Sequence, residues 1–316
     1  MRYTISLIAA SLMSTAAGAE VPVVVTDIAP VHSLVAAVMG DLGAPVLLLD
    51  GGADAHDFQL RPSQAAAVQG AGLVVWVGPE MSPWLDRVLD GMDSKAPQVP
   101  LLAVPGTALL TYAEDGHAED GHAGVEHAGS GHDGHGHDGH GHGGIDPHAW
   151  LLPDNAVLWT RAVAAELSRL DPGHAAAYAA HAAQAFARIE AAEKHAAATL
   201  APFRDRPVIM NHNAYAYFAQ AFGLTSVGHI AAGDAASPGA AALRDLIAQA
   251  QGHGAACVFP ETNHDSGLAA QVAADAGARL GGALDPEGAA LAPGPALLPA
   301  LIEGLAETMA ACLART

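Results

Sequence analysis

Residues 173–200 read GHAAAYAAHAAQAFARIEAAEKHAAATL, and this stretch decides the architecture. It is almost unbroken alanine with spaced charged residues, a composition that predicts one helix. At 1.5 Å rise per residue the helix spans roughly 40 Å. Asp171-Pro172 separates it from a helix expected over residues 154–170. No strand flanks it, and it is too long for an ordinary crossover. It therefore reads as a rigid connector between two lobes.

On either side of it, strands alternate with helices. Before it, residues 21–26, 44–49 and 73–77 read as buried strands, residues 29–39 as a helix, and Pro62-Ser63 opens a short helix. After it, strands are expected at 207–210, 225–230 and 256–260, and residues 279–284 lead into Asp285-Pro286. Helices are expected there at 214–222, 238–252, 266–276 and 295–313. This rhythm indicates an α/β fold with mainly parallel sheets. The expectation is two similar α/β lobes, residues 20–170 and 203–316, joined by one long rigid helix over 171–202. Ligands of such sheets bind at the carboxyl ends of strands, and a glycine-rich loop carrying His56 falls at one of them.

Composition narrows the function. With 51% hydrophobic and 15% charged residues the chain can bury a substantial core, and its net charge of -20 argues against a nucleic-acid partner. Residues 1–19 have one Arg, an apolar run and Ala17-Gly18-Ala19, the pattern of a secretory signal cut before Glu20. No other apolar stretch approaches the roughly 20 residues that span a bilayer, so an exported, periplasmic protein is expected. The two cysteines, Cys257 and Cys312, read most simply as a disulfide in an oxidising compartment, stabilising by roughly 4 kcal/mol. A thiolate metal site is the alternative, and it lacks a CxxC spacing.

Histidine is concentrated in one place. Eight of the 18 histidines, His117, His122, His127, His132, His135, His137, His140 and His142, lie in a run of glycine and acidic residues with a near-exact DGHGH repeat. That composition cannot pack a core, and residues 113–144 are expected to form a mobile loop offering imidazole and carboxylate to a metal. Binding needs neutral imidazole, so capture should weaken as pH falls through about 6.5. Outside the loop, His56, His148 and His212 share a context. Each follows a strand or loop end beside small or turn-forming residues, two in the first lobe and one in the second. Three imidazoles with a fourth oxygen ligand or water hold Zn²⁺ tetrahedrally. Ligands from both lobes would put the ion in the interlobe cleft.

The motifs GADAHDFQLRPSQ (52–64), AGLVVWVGPEM (71–81), DPHAWLLP (146–153), HNAYAYF (212–218), LTSVGHI (224–230), ACVFPE (256–261) and LDPEG (284–288) follow in order. With the histidine-rich loop and the C-terminal cysteine, they resemble the high-affinity zinc-binding proteins of bacterial ABC importers, the cluster A-I solute-binding proteins. The resemblance runs over essentially the whole chain after residue 19. It implies two α/β lobes bridged by a single helix, with little hinge motion and loop movements near His56 and His212 instead. It also implies Zn²⁺ bound at His56, His148 and His212, and a Cys257–Cys312 disulfide. The protein would be a monomer without enzymatic activity that delivers zinc to a membrane permease, with a periplasmic zinc chaperone as a further partner.

One departure stands out. Some relatives carry glutamate immediately before the first histidine, where this chain has Ala55. The fourth ligand is then water or another carboxylate, with Asp285 the candidate and a turn-capping role its alternative. Relatives selective for manganese usually have an acidic residue in place of His212, and three imidazoles favour zinc over manganese. His229 matches a position where some relatives form a weaker second site with the loop. Asp146 is expected to orient the loop or accept a ring N–H from a liganding histidine. His174, His181 and His195 are expected on a solvated helix face. Two other readings compete: a zinc buffer or chaperone with no transporter, and a three-histidine zinc hydrolase. The hydrolase needs a general base, for which only Glu261 and Asp285 stand near, and no HExxH motif is present.

Overall fold

A computed structural model describes residues 20–49, 52–53, 55–92, 96–112, 144–231 and 238–315. The segment read as a signal and the eight loop histidines lie outside the described residues. The first lobe runs β1 (Val24–Thr26), α1 (Ala29–Met39), β2 (Val46–Leu47), α2 (Pro62–Gln69), β3 (Leu73–Trp76), α3 (Pro83–Gly91), β4 (Gln98–Pro100) and α4 (Pro153–Leu170). After α5 (Ala175–Leu200), the second lobe runs β5 (Val208–His212), α6 (Ala216–Phe222), β6 (Ser226–Ala231), α7 (Ala240–His253), β7 (Cys257–Val258), α8 (Gly267–Ala276), β8 (Arg279–Leu280) and α9 (Leu297–Leu313).

Each lobe holds a four-stranded parallel sheet, ordered β2-β1-β3-β4 and β6-β5-β7-β8. The winding is the same in both: the second strand lies outside the first, and the third joins the first on its other side. In each sheet the order therefore reverses between the first and third strands, where open α/β sheets leave a crevice at their carboxyl ends. The expected elements are present with ends shifted by a few residues; β1, β2, β3 and β7 are shorter than their apolar runs, while β5 runs on to His212. Three elements were not expected, β8 among them. β4 is a three-residue edge strand ending in Pro100, where a missing N–H is tolerated. α3 begins at Pro83, whose fixed φ suits a first helical turn.

The long helix is more than a strut. α5 has 26 residues, about 39 Å at 1.5 Å each. Tyr178, Ala182, Ala185, Ile189, Ala192, Ala196 and Leu200 form a buried stripe at three- and four-residue spacing. α1 and α4 of the first lobe and α9 of the second pack against this helix. One hydrophobic core consequently runs from the first sheet through α5 to Val208, Met210 and Phe259. The far face of the second sheet, under α7 and α8, has a smaller core of its own around Ile209, Leu246 and Val272.

The histidines of this region are not simply solvated, as the sequence reading had them. His174 Nδ1 lies 2.6 Å from the buried Asp171 carboxylate, which also accepts the Tyr178 hydroxyl at 2.9 Å. His181 Nδ1 meets the Val38 carbonyl at 3.1 Å, and His195 Nε2 meets Glu307 at 3.1 Å, so contacts tie α5 to α1 and to α9. The disulfide is present: Cys257 and Cys312, with Cα atoms 6.4 Å apart, join β7 to α9. Among the described residues no helix is long and apolar enough to cross a membrane.

Candidate metal centre

Three histidines from distant parts of the chain meet between the lobes. The His148 ring stands 5.6 Å from that of His56 and 5.3 Å from that of His212, edge to face with both. His148 and His212 are buried, at 2% and 4% exposure, and His56 is partly buried. As they stand, no three His, Cys, Asp or Glu side chains among the described residues are gathered closely enough to hold an ion. The three rings pack edge to face on one another.

Each histidine is placed by its own local structure. The loop of His56 is pinned by Trp84: its indole N–H donates to the Ala55 carbonyl at 2.8 Å, and its ring packs edge to face on Phe58 at 5.2 Å. Ala55 is fully buried there. His148 begins the 3₁₀ turn Ala149–Leu151, and Asn155 braces that turn with bonds to Ala108 and to the Ala149 carbonyl. His212 ends β5, beside Ala231 of β6. It therefore sits at the carboxyl end of the crevice between β5 and β7.

Buried carboxylates hold the two central rings. Asp146 accepts both the His148 main-chain N–H at 2.9 Å and the His148 ring at Nδ1, 2.8 Å away, through the same oxygen. Glu261, just past β7, lies 2.6 Å from His212 Nδ1. A carboxylate on Nδ1 fixes the ring, favours the Nδ1–H tautomer and directs the other nitrogen, Nε2, to an ion. The Asp146 contact is the one expected from sequence. The Glu261 contact was missed, because Glu261 had been weighed only as a base for hydrolysis. The signal that could have found it is an acidic residue just beyond a core strand, in the ACVFPE motif.

Asp285 and His229 are the remaining sequence candidates. Both oxygens of Asp285 accept backbone N–H groups, from Ala289 and Ala290, each at 2.9 Å. Asp285 also lines a cavity of about 140 Å³ with Glu261, Asn263, His264 and Glu287. His229 is on β6, opposite Met210 and two residues before the partner of His212. His32 is buried in α1, where desolvation lowers its pKa below the usual 6.5.

The family model described as "Zinc-uptake complex component A periplasmic" (ZnuA) matches residues 24–312. The chain belongs to the ZnuA family. The high-affinity zinc uptake system protein ZnuA of Paracoccus denitrificans is 47% identical over 98% of each chain, and that of Brucella suis biovar 1 is 38% identical over 92% of each. The fold agrees with a crystal structure of ZnuA, with a TM-score of 0.72 at 24% identity over 92% of this chain and 98% of that one. It also agrees with the solute-binding protein FpvC of Pseudomonas aeruginosa in complex with Mn²⁺, with a TM-score of 0.76 at 20% identity over 92% and 98%. At these identities the structural likeness speaks for the fold. The ZnuA family is one of periplasmic zinc-uptake components and not a family of enzymes.

Proposed function

We propose that this protein is the periplasmic zinc-binding component of an ABC importer: it captures Zn²⁺ between its lobes and hands the ion to a membrane permease. One observation carries the reading. Two buried histidines, one from each lobe, stand 5.3 Å apart with a buried carboxylate on Nδ1 of each. His56, His148 and His212 supply three imidazole nitrogens, which suit zinc better than manganese. The fourth position belongs to water or to Asp285. Asp285 reaches the ion only by giving up one of its two backbone contacts. Glu261 and Asp285 are already engaged with His212 and with backbone N–H groups, which supports ion holding over hydrolysis.

The rest of the reading builds on this centre. Export uses residues 1–19 as a cleaved signal, and the protein acts as a monomer. The loop histidines His117–His142, with His229, form a weaker second site that gathers zinc for the cleft, and a periplasmic zinc chaperone supplies them. The core shared by both lobes through α5 opposes a wide hinge. Loading and release therefore proceed by movement of the loops around His56 and His212.

Calorimetric zinc titration of metal-stripped protein tests the proposal. The intact chain, a deletion of residues 115–144 and His212→Ala are compared. One tight site survives the deletion, and His212→Ala weakens it by more than about 100-fold, beyond the loss typical of a partner outside the coordination sphere. Tight binding that vanishes with the loop and persists in His212→Ala would make this a histidine-tail metal buffer.

A further inference from the structure

Two buried hydrogen bonds cross between the lobes on either side of His148, and they run in opposite directions. On one side Tyr217, from α6 of the second lobe, donates its hydroxyl to the Asp146 carbonyl at 2.9 Å and accepts the Leu110 N–H at 2.8 Å. On the other side Trp150, from the first lobe, donates its indole N–H to the Pro286 carbonyl of the second at 2.8 Å. Both side chains are fully buried. Each bond ends next to a residue of the metal centre. Asp146 is the carboxylate on His148 Nδ1, and Pro286 follows Asp285. The Trp150 ring also packs on the His148 ring, with centroids 5.2 Å apart.

Leu110 and Asp146 are themselves paired, Asp146 N–H to Leu110 carbonyl at 2.9 Å, beside the bridge between Thr111 and Ile145. The Tyr217 hydroxyl thus closes a knot of main chain that fixes where the Asp146 carboxylate stands. Trp150 fixes the opposite flank of His148 and the start of the Asp285 turn. The Trp150 indole nitrogen is engaged with Pro286 and the Tyr217 oxygen with Asp146 and Leu110, so neither is offered to an ion.

We propose that Tyr217 and Trp150 are positioning residues for zinc. By latching the lobes on both sides of His148, they set where that residue stands relative to His212, and they slow the ion's escape. This inference rests on the histidine cluster being the metal site. It adds that the lobe-to-lobe register of that cluster is set by two side chains that never touch the metal. A frame that keeps the two histidines at a fixed spacing leaves less to be ordered when the ion binds, and affinity differences of this kind appear mainly in the dissociation rate.

The test uses the full chain, stripped of metal, as wild type, Tyr217→Phe and Trp150→Phe. Trp159→Phe serves as the control. Trp159 is another fully buried indole of the first lobe, bonded to Thr107 Oγ1 at 3.0 Å and outside the cluster. Zinc affinity is read by chelator competition, release by stopped flow, ligand geometry by the visible spectrum of the Co²⁺-loaded protein, and stability by thermal melting. Tyr217→Phe and Trp150→Phe are each expected to lower zinc affinity about tenfold, the scale of lost support around a ligand. Most of the loss should appear as faster release, with a weakened tetrahedral Co²⁺ band. Trp159→Phe should lower the melting temperature while keeping wild-type affinity and spectrum.

Wild-type affinity and spectrum in both site variants, with lowered melting in all three, would overturn the proposal and leave the bonds a purely structural role. If Tyr217→Phe does not fold, Trp150→Phe decides alone, since its phenyl ring keeps the packing on His148. A wild-type protein without a tight zinc site would instead bring down the metal-site reading, and this inference with it.

Discussion

In the second lobe the crevice between β5 and β7 holds His212 and Glu261. In the first lobe the matching crevice, between β1 and β3, is closed by Asp27, which follows β1. Asp27 is fully buried and accepts the Val77 N–H at 2.9 Å and the Ser82 hydroxyl at 3.0 Å. The two lobes are wound alike, and each bridges the ends of its first and third strands with a carboxylate. One bridge ends on the backbone of its own lobe and the other on an imidazole that faces across the cleft. Two sheets of one topology therefore have different tasks. The first seals its crevice and carries the histidines of the proposed metal centre on loops, while the second carries His212 on the strand itself.

The lobes also differ in how they are held. The first sheet lies within the main core, whereas the second lobe's core is divided. The Cys257–Cys312 cross-link, 55 residues apart, compensates there. Replacing both cysteines with alanine is expected to cost about 4 kcal/mol from loop-closure entropy. Hydrogen exchange should show the loss concentrated in β7, β8 and α9. Equal loss in both lobes would mean that α5 couples them into one cooperative unit.

Asp27 gives the next largest effect. Desolvation raises its pKa from 3.8 to about 6. The folded state thus favours the proton more than the unfolded chain does. The contribution is fully present below about pH 4 and is lost as pH rises through about 6, a change of about 3 kcal/mol. Asp27→Asn does not titrate, so its stability relative to wild type should rise by about that amount between about pH 4 and pH 7. Denaturant unfolding of the metal-free proteins checks it. A pH-independent difference would remove the buried titrating carboxylate from the first-lobe crevice and blur its contrast with the second.

Glu261→Gln sharpens the other half of the comparison. It keeps an acceptor beside His212 but loses the charge, and zinc affinity should fall about tenfold, or about 1.4 kcal/mol. Competition titration would read this, and unchanged affinity would reduce Glu261 to the role that Asp27 has. The smallest effect is expected at the seam. His195 and Glu307 are 48% and 64% exposed, so His195→Ala should alter unfolding free energy by less than about 0.5 kcal/mol. A larger loss would show that surface contacts, and not the buried stripe of α5, set the lobe-to-lobe register.

Much of this was legible in the sequence because it is local. α1 was expected over residues 29–39 and is found at Ala29–Met39, because a continuous apolar helix opens just after a buried strand. α5 was legible for its length and alanine content. The histidines at 56, 148 and 212 could be singled out because each sits in a short motif at a strand or loop end. What was not legible depends on which strands are neighbours. Chain order gives β5, β6, β7, yet β7 lies beside β5 on the side away from β6, and only that places Glu261 on His212.

The sequence by itself determined the two-lobed α/β plan, the long helix, the cysteine pair and the histidine candidates. Periodicity, composition and short motifs act over a few residues and need no partner. Tertiary structure alone decided that α5 is a packed seam and that Asp27 closes one crevice while His212 opens the other. It also decided that Trp150 and Tyr217 reach across the cleft to Pro286 and Asp146. These pairings join residues up to 136 positions apart. They exist because burying both sheets and α5 in one core brings polar groups together out of water, where each must find a partner.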